Sequence, residues 1–131
     1  MFASLFILLF IAHLLSDYAL QTDHQAEHKA LRTWKGYKAL AVHAGTHVAV
    51  SAVLLGLGGL LLGLSLTPLV ALAALLWIGG SHAFVDRRWP VTWWMTHTGS
   101  EEWIGRGGAA HVDQTAHVAA LGIAAMVMAA L

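Results

Sequence analysis

Residues 1–21 read MFASLFILLFIAHLLSDYALQ. The run is apolar and long enough to cross a bilayer, which takes about 20 mostly apolar residues. It also carries His13 and Asp17 four residues apart near its end. No Lys or Arg precedes the apolar stretch, whereas a cleavable leader has a basic start. The reading is a retained membrane helix that ends in a polar pair.

Three further segments have that character. They run from Lys38 to Gly63, from Pro68 to Asp86 and from Ala109 to Leu131. Thr67 and Pro68 suit the N-cap and first position of the third helix. The turn Leu64–Thr67 is short, so spans two and three should form an antiparallel hairpin. The whole chain of 131 residues is 58% hydrophobic and 11% charged, with mean hydropathy +0.67. Soluble domains carry about 25% charged residues, so lipid is the expected solvent. The predicted fold is all-α: a single-domain, integral membrane, four-helix up-down bundle.

Two polar segments remain. Thr22–Tyr37 opens with a capping-box pattern, Thr22 to Gln25, and suggests a short interfacial helix with Gly36 as a stop. Arg87–Gly108 contains Trp89, Trp93, Trp94 and Trp103, residues that favour the membrane–water boundary. Pro90 and the glycines from Gly105 to Gly108 are expected to break regular structure there. All seven basic residues (Lys29, Arg32, Lys35, Lys38, Arg87, Arg88 and Arg106) fall in or beside these two segments. The positive-inside rule then puts both segments in the cytoplasm and both termini outside the inner membrane. Gly56, Gly58, Gly59 and Gly63 in span two read as close-packing positions.

Four pairs stand at i, i+4: His13/Asp17, His43/His47, His82/Asp86 and Asp113/His117. That spacing places both side chains on one helical face. In an up-down bundle, all four pairs fall at similar depth near the cytoplasmic ends. Ionisable groups inside a membrane face a bundle interior or a wet cavity. Five His and three Asp at one level call for a compensating cation. They are read as ligands for one or two divalent ions, Zn²⁺ first and Mn²⁺ or Fe²⁺ next. Asp113, Gln114 and Gln21 are candidate catalytic residues, as general base or to orient water or substrate. Lys29, Arg87 and Arg88 could meet a lipid phosphate at the site mouth. His24, His28, His97 and His111 are left outside the site.

Net charge is zero and cysteine is absent. The first gives no electrostatic case for nucleic acid, and the second excludes thiolate chemistry and disulfides. There is no H-E-x-x-H, no G-x-S-x-G and no P-loop.

The runs His13-Leu-Leu-Ser-Asp17-Tyr-Ala-Leu-Gln21, His82-Ala-Phe-Val-Asp86 and Asp113-Gln114-Thr-Ala-His117 resemble the domain of unknown function 3307 family of small bacterial and phage membrane proteins. Lys29 and His43 match that pattern as well. Tyr18 stands where phenylalanine is expected, and Arg87 and Arg88 where a lysine is more usual. A more distant resemblance, to predicted membrane-bound metal-dependent hydrolases, implies hydrolysis by analogy. The expected activity is metal-dependent hydrolysis of a lipid-linked or membrane-proximal substrate. Two alternatives are a metal- or proton-handling transport protein and a non-enzymatic, holin-like or interaction protein.

Overall fold

The computed structural model describes all 131 residues, and every regular element in it is helical. The long helices are α1 (Phe2–Leu14), α3 (Trp34–Leu62), α4 (Pro68–Val85) and α7 (Gly108–Ala130). Three short ones, α2 (Asp23–His28), α5 (Trp89–His97) and α6 (Glu101–Ile104), lie in the two polar segments. The long helices pack in a ring, α1 on α3, α3 on α4, α4 on α7 and α7 on α1. With α1 extended through Ala19, all four are long and apolar enough to cross a membrane.

Local chemistry sets the helix ends. Thr67 accepts the Val70 amide, and Pro68 follows in the first turn, where its missing N–H costs nothing. Gly63 closes α3 with φ +66°, a left-handed cap that suits glycine. The capping box at Thr22 is complete. Its hydroxyl accepts the Gln25 amide at 3.3 Å, and Gln25 Oε1 accepts the Thr22 amide at 3.0 Å.

Three expectations are corrected. Gly36 does not stop a helix: α3 begins at Trp34 rather than Lys38, capped by Thr33, whose hydroxyl accepts the Gly36 amide at 3.1 Å. Glycine is needed at position 36 because a Cβ would collide with the carbonyl oxygens of Leu31 and His28. Pro90 does not break the tryptophan segment either, because it sits in the first turn of α5. Of the four glycines read as packing positions, Gly58 meets a neighbour closely, with a Cβ there falling 2.6 Å from Leu8. Gly56 faces open space.

The bundle has two unlike ends. One is held by Leu5, Leu9, Leu55, Ala74, Ile78, Leu121, Ala124, Ala125 and Met128, a wholly apolar cluster. The other contains the buried polar residues. The outside is apolar on all four long helices, with Ile11, Val53, Leu60, Leu72, Leu76 and Met126 exposed among others. Water-soluble monomers rarely expose apolar patches above a few hundred Å².

Candidate metal centre

All four i, i+4 pairs meet at the polar end of the bundle. His13, Asp17, His43, His47, His82, Asp86 and His117 are each at least nine-tenths buried, and Asp113 is half-buried at the rim. Three of the imidazoles form a stack: the His82 ring lies between His47 at 3.5 Å and His117 at 4.1 Å, centroid to centroid.

Two carboxylates organise the cluster. Asp17 Oδ1 lies 3.1 Å from both His43 Nε2 and His47 Nε2, and 3.5 Å from His82 Nε2. Its Oδ2 accepts from Gln114 Nε2 at 3.1 Å and lies 3.4 Å from His13 Nε2. Asp86 Oδ2 lies 3.1 Å from His82 Nε2 and 3.4 Å from His43 Nε2. Its Oδ1 accepts from Lys29 Nζ at 2.9 Å and stands 3.7 Å from His117 Nε2. Asp113 Oδ2 is 3.5 Å from His117 Nε2.

Asp17 reaches this many partners through a local change in helix type. After Leu14 the helix widens to a π-helical turn, Leu15–Ala19, closed by the Leu20 amide on the Leu15 carbonyl at 2.9 Å. Such turns add a residue to the helical repeat and are frequent at functional sites. Gln21 braces the turn by donating to the Asp17 carbonyl at 3.1 Å. Gln21 therefore holds the backbone of Asp17 and makes no hydrogen bond to the clustered side chains. Gln114 sits between Asp17 Oδ2 and His13 Nε2, with its own Oε1 3.0 Å from the latter.

Lys29 enters the cluster from α2, its side chain 12% exposed, with Nζ on Asp86 and 3.1 Å from His43 Nε2. Arg87 donates to the carbonyls of Lys29 and Leu31 and lies over the Tyr37 ring, tying α4 to the α2–α3 joint. Arg88 lines a cavity of about 430 Å³ at the mouth, together with Gln21, Lys29, Thr92, Asp86 and Asp113. His24 and His28 stack on each other outside the cluster, His97 stacks on Trp93, and His111 stacks on Trp103.

Three donor sets are compact enough for an ion: His13/Asp17/His47/His82, His43/His82/Asp86 and Asp86/Asp113/His117. In the second, the triangle of His43 Nε2, His82 Nε2 and Asp86 Oδ2 has edges of 3.1, 3.1 and 3.4 Å. A tetrahedral zinc site with bonds near 2.0–2.1 Å has ligand–ligand edges of about 3.3–3.4 Å. His82 and Asp86 each belong to two sets, so ions in adjoining sets would share ligands. Asp86 Oδ2 and His117 Nε2 are buried without a hydrogen-bond partner, as atoms that face a metal would be.

A match to the family described as "Protein of unknown function (DUF3307)" covers residues 5–131. The chain belongs to this family. No curated protein and no solved structure gives a match. The family's description assigns it no activity.

Proposed function

We propose that this chain is an integral protein of the cytoplasmic membrane that holds one or two divalent ions, zinc foremost, in the His/Asp cluster. We further propose that it hydrolyses a lipid-linked or membrane-proximal substrate from the cytoplasmic side. The orientation rests on the basic residues, all of which lie at the end of the bundle that carries the cluster or in the segments beside it. Both termini are then outside.

One observation carries the metal reading. His43 Nε2 stands 3.1 Å from a carboxylate oxygen, 3.1 Å from the Lys29 ammonium and 3.1 Å from His82 Nε2. A ring nitrogen has either a proton or a lone pair. With the proton it satisfies Asp17 but opposes Lys29; with the lone pair it does the reverse. A cation that takes lone pairs from imidazole and carboxylate together removes the conflict. Charge agrees: with neutral imidazoles, three carboxylates against one ammonium leave two negative charges, which one divalent ion balances.

A divalent ion held there supplies Lewis acidity and acidifies water. The chain's own groups fit the remaining tasks. Asp113 lies on the cavity wall with few partners and is placed to take a proton from an attacking water. Gln114 holds Asp17 and His13 in register, and Gln21 holds the π turn. The nine apolar residues at the far end give an ion no path onward, which disfavours transport by one chain.

The Lys29–Asp86 pair supports a second reading, in which the cluster is a fixed ionic network with lysine as its resident cation. Elemental analysis separates the two. Tag-free protein in mild detergent should retain one or two equivalents of zinc, manganese or iron, and a His43→Ala/His47→Ala variant should lose them. A metal-free wild type beside a destabilised variant would sink the metal reading in favour of the network.

A further inference from the structure

The mouth cavity is built from both signs of charge. Asp86 and Asp113 form its inner wall, and Lys29 and Arg88 stand beside them. Arg88 is the one non-glycine residue with positive φ, at +63°. A non-glycine residue is strained there, and that turn sets Arg88 on the cavity. The only hydrogen bond of its guanidinium is a long one, 3.4 Å to the Ala26 carbonyl. Its remaining donors are free, in the planar fork that matches phosphate oxygens. Gln21 Oε1, on the same cavity, is buried without a partner.

A second hollow, of about 520 Å³, adjoins the first. It is lined by Tyr18, Ala110, His111, Gln114, Thr115 and Val118, and Ala110 lines both. From Ala110 to Val118 it follows α7 for about 12 Å at 1.5 Å per residue, beside the exposed ring of Tyr18. It therefore leads from the charged mouth along the outside of the bundle toward the apolar end.

We infer that mouth and groove together take one phosphate-headed lipid, its head against Arg88 and its chain along α7 beside Tyr18. The inference rests on the reading above, in which this end of the bundle lies at a membrane face, and it names the substrate class of that site. The free guanidinium donors of Arg88 select the anionic head, and the groove running on from the mouth selects a lipid over free phosphate.

The test uses the full chain in mild detergent micelles doped with phosphatidic acid, or with diacylglycerol of the same chains. Retained lipid is read by native mass spectrometry, and metal content is read on the same samples. Phosphatidic acid should be retained roughly tenfold better than diacylglycerol, the scale of a charge-assisted contact. Arg88→Gly, which also relieves the backbone strain, should abolish that preference, and Arg88→Lys should keep part of it. Val118→Trp, which fills the groove, should displace phosphatidic acid with metal content unchanged. Equal retention of the two lipids would overturn the proposal. So would phosphatidic acid that inorganic phosphate displaces in full and Val118→Trp does not, the behaviour of a soluble-phosphate site. Phosphatidic acid held by a metal-free chain would support the lipid site while removing the metal reading. Metal held by a chain indifferent to phosphatidic acid would do the opposite.

Discussion

Replacing Asp17 with asparagine keeps the shape of the side chain and removes its charge. Asp17 Oδ1 takes His43 and His47 at 3.1 Å each, and Oδ2 takes Gln114 at 3.1 Å. An asparagine offers one acceptor and one donor to the same neighbours, so at least one contact becomes donor against donor. Hydrogen bonds to a charged group contribute about 1.5–3 kcal/mol each and are not additive. Metal-free D17N should therefore lose roughly 2–3 kcal/mol. The larger signature is the response to zinc. Zinc at a hundred times its dissociation constant adds about 2.7 kcal/mol. For a chain of this size that corresponds to roughly 8–13 °C in Tm. Loss of a ligand that weakens zinc about a hundredfold leaves about 0.4 kcal/mol at the same zinc concentration, a rise of roughly 1–2 °C. The assay is thermal unfolding in detergent, chelator against zinc, for both proteins. A D17N protein with the wild-type zinc response would refute the role assigned to Asp17. A wild type that does not respond would refute the metal site.

Other perturbations probe separate links. Lys29→Met leaves Asp86 without its 2.9 Å partner and should cost the metal-free protein about 3–5 kcal/mol. Zinc should restore much of this, because a dication takes over the charge, and a deficit that zinc leaves untouched would favour the fixed ionic network. Gly36→Ala should destabilise by about 2 kcal/mol or more, although alanine is the better helix former by about 1 kcal/mol, because its Cβ meets two carbonyl oxygens; a stabilised variant in a thermal melt would contradict the tight α2–α3 joint. Since the chain has no cysteine, single-cysteine variants report topology cleanly. Ser65→Cys should react with an impermeant maleimide in intact cells and Thr98→Cys only after permeabilisation, and the reverse pattern would invert the orientation.

The features legible in the sequence were those that depend on chain length and local spacing. Apolar runs of about 20 residues marked the four long helices, and i, i+4 pairs marked the faces that converge. Thr22, Thr67 and Pro68 marked helix starts because capping is a local interaction. What escaped depends on partners distant in sequence. No glycine or proline announces the π turn at Leu15–Ala19; it follows from where Asp17 must reach. Lys29 reads in the sequence as a cation at the site mouth, and its contact with Asp86 and His43 depends on how α2 docks on α3. Gly36 admits two carbonyls from the preceding residues, and a glycine that ends a helix is spelled the same way.

The two ends of the bundle explain each other. A cluster of buried carboxylates and imidazoles does not hold four helices together by itself, since buried charges repay their desolvation only with well-placed partners. The helices are fixed at the opposite end by Leu5, Leu9, Leu55, Ile78, Leu121 and Met128, with Trp77 Nε1 donating to the Ala120 carbonyl at 2.9 Å between α4 and α7. That apolar end packs together the same four helices that carry the donors. On the proposed metal reading, the site is built before its ion arrives, as tight coordination at fixed geometry requires. It follows that truncating Leu9 or Leu121 should loosen metal binding from a distance, whereas removing His82 should abolish it and leave the far core intact.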